Sequence, residues 1–180
     1  MTALDDLLEA NRRAVLPDGD PGGFVANRHL CVLTCVDPRL TRFFPGALGL
    51  ERGNAVAVRV PGASVRPGSD ALRALAASVY VNDCQEVLVL CHTDCGAARV
   101  KPEELRRALR ARGVPEAEVP ADVGAFFGLV ADARQAALES ARAIRAAPYL
   151  PPGLPVHVGE IDIRTGRVTL LERGYGLPGR

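Results

Sequence analysis

Leu30-Cys31-Val32-Leu33-Thr34-Cys35 is an almost unbroken apolar run. A strand with one wet face alternates apolar and polar residues, so a run that is apolar at successive positions reads as a strand covered on both faces, as in a parallel sheet layered between helices. Ala55 to Val60 and Glu86 to Cys91 repeat the pattern. Between these two runs the period changes. Ser69 and Asp70 open a helix that sets Leu72, Leu75, Ala76 and Val79 on one face. Strand, helix and strand in succession predict an α/β fold, a central and mostly parallel sheet flanked by helices.

Working outward, Thr2 caps a helix over residues 2–15 whose Leu4, Leu7 and Leu8 share a face, and a loop rich in Pro and Gly follows from Pro17 to Gly23. A helical turn is expected near Leu40 to Phe44. Pro102 and Glu103 suit the first turn of a helix running through Arg112. Asp122 is expected to cap one long helix to about Ala147, with Phe126, Phe127, Val130 and Ile144 buried, until Pro148, Pro151 and Pro152 end it. Val156 to Ile163, Thr165-Gly166 and Val168 to Leu171 read as strand, tight turn, strand, a C-terminal hairpin. Neither a repeat nor a linker interrupts the pattern, so residues 1–180 are read as a single domain.

Composition narrows the function. Of the 180 residues 48% are apolar and 24% charged, which excludes a disordered chain. The net charge of +1 gives no electrostatic reason to expect a nucleic-acid or membrane partner. No apolar run approaches the roughly 20 residues that span a bilayer, and Asp5, Asp6 and Glu9 stand where a signal peptide would be basic and then apolar. A cytoplasmic protein is expected. Five cysteines, an odd number, favour metal binding or buried thiols over a disulfide framework.

Ligands of open α/β sheets gather beyond the carboxyl ends of the strands, and the chemically capable residues fall there. Cys35 closes the first strand; His92 follows the third, with Cys95 three positions on in His92-Thr93-Asp94-Cys95-Gly96. Two thiolates and an imidazole suit zinc in an open catalytic site, with buried thiols as the alternative for any one of them alone. Cys31 stands roughly 13 Å from Cys35 along a strand and cannot share its ion. Cys91 points to the opposite face from His92, and Cys84 has no suitable neighbour. Asp37 and Arg39 follow Cys35 closely enough to form a bidentate pair facing the metal, or else an ordinary solvated ion pair.

Cys35-Val36-Asp37-Pro38-Arg39 and His92-Thr93-Asp94-Cys95-Gly96 together resemble the paired motifs of the β-class carbonic anhydrases, and the similarity runs through most of residues 30 to 100 and loosely to Ile163-Arg164-Thr165-Gly166. The resemblance implies a β-carbonic anhydrase-like fold and one Zn2+ per chain on Cys35, His92 and Cys95, with water or Asp37 in the fourth position. It implies that Arg39 holds Asp37 off the metal, and that the chain forms a homodimer or higher even oligomer; the leucine face of residues 2–15, set off from the sheet by the loop rich in Pro and Gly, marks that helix as the expected dimerisation arm. The implied activity is that of a zinc lyase, reversible hydration of carbon dioxide to bicarbonate by a zinc-bound hydroxide. One position departs: the family usually has asparagine after the arginine of the second strand, where this chain reads Arg59-Val60-Pro61-Gly62. Losing that amide favours a second reading, a carbonyl sulfide or carbon disulfide hydrolase of the same fold; a third is a non-catalytic zinc-stabilised binding protein in which Asp37 is a permanent fourth ligand.

Overall fold

β1 (Leu30–Thr34), β2 (Ala55–Arg59), β3 (Glu86–His92) and β4 (Val156–Ile161) are parallel and β5 (Val168–Glu172) is antiparallel, in one sheet of order β2-β1-β3-β4-β5. The structure, a computed structural model, describes residues 2–13, 23–51 and 53–177. Helices α1 (Ala3–Arg13), α2 (Phe43–Gly46), α3 (Asp70–Tyr80), α4 (Gly96–Arg99), α5 (Pro102–Ala111), α6 (Val123–Phe127) and α7 (Ala133–Arg145) connect or flank the strands. The expected α/β class, parallel core and terminal hairpin are all present. The end of the first helix beyond Arg13 and most of the expected loop from Pro17 to Gly23 lie outside the described residues.

The alternation of side chains builds two cores from one sheet. Cys31 and Leu33, Val87, Val89 and Cys91, Val156 and Val158 face Leu72 and Leu75 of α3 and Ala137, Ala141 and Ile144 of α7. Val32, Leu90 and Ile161 face the other way, onto Leu40, Phe43, Leu50 and Ile163. Along the central strands β1, β3 and β4 both faces are therefore covered, which is why β1 and β3 read as continuous apolar runs. The chain leaves β1 on one side for β2, then returns across it to β3. That reversal opens a crevice at the carboxyl ends of β1 and β3, where such sheets seat their ligands.

The single long helix expected from Asp122 to about Ala147 is in fact two. Gly128 takes φ +68° after α6, and the chain turns so that the Val130 N–H donates to the Ala97 carbonyl at 3.0 Å. A second cap follows: the Asp132 carboxylate accepts from Gln135 N–H at 2.7 Å and α7 begins. Of the four residues expected to be buried, Ile144 is fully so, Phe127 and Val130 are half-buried, and Phe126 is 70% exposed. A tertiary hydrogen bond to the site loop outweighs the helical period here.

Candidate metal centre

Cys35 follows the last residue of β1, His92 ends β3, and Cys95 precedes α4. The parallel register pairs Thr34 with Leu90, which sets Cys35 and His92 at adjoining strand ends. One ligand atom from each of Cys35, His92 and Cys95 lies within 4.8 Å of the other two, and all three residues are buried. The two Sγ atoms are 3.9 Å apart, too far for a disulfide. Two sulfurs on a tetrahedral zinc at about 2.3 Å each would stand about 3.8 Å apart, so the spacing fits.

Histidine tautomer and hydrogen-bond accounting agree. His92 Nδ1 lies 2.8 Å from the Thr93 carbonyl, which can only accept, so Nδ1 carries the proton and Nε2 presents a lone pair. Nε2 is buried without a hydrogen-bond partner. An unpaired buried acceptor beside two thiols is costly unless an ion completes it. The thiols behave as a pair. A hydrogen bond from Cys95 draws Cys35 well below the usual thiol range, with the backbone N–H groups of Asp37 and Gly62 assisting, while the same contact pushes Cys95 up. In Cys31 and Cys91, by contrast, burial pushes the thiol up to about 12.

Asp37 and Arg39 do form the bidentate pair. Arg39 donates from Nε to Asp37 Oδ1 at 3.0 Å and from a terminal nitrogen to Oδ2 at 2.7 Å, and its backbone N–H adds a third bond at 2.9 Å. Hydrogen bonding from Arg39 holds the Asp37 carboxyl down at about 2, so it is ionised at neutral pH. Asp37 Oδ2 stands only 3.9 Å from His92 Nε2. The carboxylate thus faces the ligand cluster while tied back from it.

Residues 30–114 match the carbonic anhydrase family pattern. β-Carbonic anhydrase 1 of Mycobacterium tuberculosis is 27% identical over 169 residues, covering 93% of this chain and 97% of that one. The crystal structure of β-carbonic anhydrase isoform I from Trichomonas vaginalis superposes with a TM-score of 0.82 at 27% identity, covering 97% of this chain and 100% of that one. In sequence and fold the chain is similar to the β-class carbonic anhydrases along nearly its whole length. A carbon disulfide hydrolase of an Acidianus strain is also similar, 33% identical over 100 residues, which is 56% of this chain and 47% of its own length.

This β-carbonic anhydrase-like scaffold positions its motifs with groups whose roles the sequence did not disclose. Arg59, at the end of β2, donates to the Cys35 carbonyl at 3.0 Å, the Asp37 carbonyl at 2.6 Å and Thr41 Oγ1 at 2.9 Å, bracing the loop that carries a ligand and the carboxylate. Its place on the neighbouring strand was the available signal. Asp94 binds Arg39 from the far side, a contact that depends on a left-handed backbone and that no spacing rule reveals.

A cavity of about 190 Å³ opens beside Cys35 and Asp37, walled by Val36, Pro61, Ala97, Val100, Leu105, Phe127 and Leu129 among others. Two of those walls, Phe127 and Leu129, come from the stretch whose turn at Gly128 splits the expected long helix. Val60, the departure from the usual family asparagine, does not line this cavity. It borders a neighbouring one of about 260 Å³, with Pro61 and Phe127 shared between them.

Proposed function

We propose that this chain is a zinc-dependent lyase that interconverts carbon dioxide and water with bicarbonate and a proton, one zinc being held by Cys35, His92 and Cys95. The observation that carries the reading is the buried, unpaired His92 Nε2 converging with two thiols beside an ionised carboxylate. Zinc, when bound there, supplies a Lewis acid that activates water. Asp37, ionised and acceptor-only, takes a hydrogen bond from the attacking water and aims its lone pair at carbon. Arg39 keeps that carboxylate from closing the ligand cluster itself. The apolar wall of Ala97, Phe127 and Leu129 admits a neutral linear molecule without offering donors that would retain the bicarbonate anion.

The apolar cavity also suits carbon disulfide or carbonyl sulfide, and the similarity to a carbon disulfide hydrolase makes sulfur-substrate hydrolysis the second reading. Zinc-loaded protein assayed in parallel for carbon dioxide hydration by stopped flow and for sulfide release from carbon disulfide and carbonyl sulfide separates the two. The proposal expects the carbon dioxide rate to dominate. Sulfide release without carbon dioxide hydration overturns it.

The proposal extends to assembly and setting. Leu4, Leu7 and Leu8 are 63%, 62% and 44% exposed, and α1 buries no residue against its own chain, which supports packing of this helix on a second copy in a homodimer. Among the described residues no helix is long and apolar enough to cross a membrane. All five cysteines are unpaired, in keeping with a reducing, cytoplasmic setting.

A further inference from the structure

Arg39 is the hinge of the reading above, yet its side chain is 46% exposed. An exposed arginine paired with one carboxylate contributes little and samples many rotamers. Something must hold it. One edge of the guanidinium, Nε and one terminal nitrogen, serves Asp37. The other edge serves Asp94: Nη1 donates to Asp94 Oδ2 at 2.9 Å and Nη2 to the Asp94 carbonyl oxygen at 3.0 Å. Asp94 is fixed in turn, because Arg99 donates to its other carboxylate oxygen. The four side chains make one charge-alternating chain, Asp37–Arg39–Asp94–Arg99.

The backbone shows that this arrangement is built. Asp94 lies at φ +56°, a left-handed conformation that is uncommon away from glycine and best tolerated by Asn and Asp. Asp94 also sits between two of the proposed ligands, His92 and Cys95, so its contacts tie Arg39 to the turn that carries them. For Asp37 to move the 3.9 Å gap toward His92 Nε2, it must leave an arginine that Asp94 prevents from following.

We propose that Asp94 is the positioning residue of this site: by gripping the second edge of Arg39 it sets whether Asp37 is held back from the metal or closes on it. This rests on the reading of Asp37 and Arg39 as the pair beside a zinc. Asp94 touches neither substrate nor metal and acts only through Arg39.

The test uses zinc- and cobalt-loaded whole protein. Asp94→Gly removes the carboxylate while relieving the backbone; Asp94→Asn keeps a left-handed-tolerant residue and one acceptor for Arg39. Asp94→Gly is expected to keep its metal, to lower kcat for carbon dioxide by at least about tenfold, and to shift the visible spectrum of the cobalt form as Arg39→Ala does. Asp94→Asn is expected to recover to within about threefold of wild type. In the Arg39→Ala background, Asp94→Gly is expected to add nothing in spectrum or rate. A wild-type cobalt spectrum in fully loaded Asp94→Gly, additive defects in the double variant, or metal loss in Asp94→Gly alone overturns the inference. If wild type fails to hydrate carbon dioxide but the spectra of Arg39→Ala and Asp94→Gly still coincide, the positioning role stands and the substrate reading falls.

Discussion

Gly62→Ala is the substitution through which the turn after β2 can be weighed. Gly62 is buried at φ +62°, in the turn that leads from Arg59 toward α3 and lends its N–H to Cys35. A Cβ there would stand 3.3 Å from Ala97 Cβ and 3.3 Å from Val130 Cγ1. Two costs add. The left-handed backbone costs an L-residue about 1–2 kcal/mol. Crowding two packed neighbours costs about 1–3 kcal/mol, because Ala97 and Val130 are tied by their own hydrogen bond and cannot simply separate. Together they predict a loss of about 2–5 kcal/mol, a fall in Tm of roughly 4–20 °C for a chain of this length. Urea unfolding of wild type and Gly62→Ala, with metal content matched because bound metal shifts apparent stability, measures the difference. A loss below about 0.5 kcal/mol, the range of ordinary surface substitutions, refutes the close-approach argument.

Three further outcomes are expected. Cys35→Ser, His92→Ala and Cys95→Ser should each lose most of the bound zinc by elemental analysis, whereas Cys31→Ser and Cys91→Ser, on the opposite face of the sheet, should keep it; full zinc in Cys95→Ser would refute the ligand set. Asp162 accepts bonds from Arg164 N–H, Thr165 N–H and the Thr165 hydroxyl, and these hold its carboxyl below the usual range. Its folded-state pKa is depressed, so the stability advantage of wild type over Asp162→Ala should be complete above about pH 4 and shrink as the pH falls further; an advantage that grows in acid on chemical unfolding would contradict the sign. Leu4→Asp combined with Leu7→Asp should convert a dimer to a monomer in light scattering, and an unchanged mass would rule out α1 as the arm.

The fold was legible where burial leaves a mark in residue type. Cys31 to Thr34 and Val87 to Cys91 are apolar at every position but one because both sheet faces are covered, and that pattern has few other physical causes. Cys35, His92 and Cys95 were legible together because strand ends are where a parallel sheet gathers chemistry. The break at Gly128 was not: a glycine within a helical period costs only about 1 kcal/mol, and the hydrogen bond from Val130 to Ala97 that decides the turn joins residues 33 positions apart. Asp94 was visible as a letter of the second motif, but its grip on Arg39 depends on a φ of +56° and on a loop 55 residues away. Phe126, expected inside, lies outside for the same reason that Gly128 turns the chain.

The most direct test of a zinc-dependent carbon dioxide hydratase is titration of metal-free protein with zinc, followed in parallel by stopped-flow hydration of carbon dioxide. The account predicts that activity rises in proportion to bound zinc and levels off at one ion per chain. Protein that takes up one zinc per chain on Cys35, His92 and Cys95, yet hydrates carbon dioxide no faster than buffer, would contradict it.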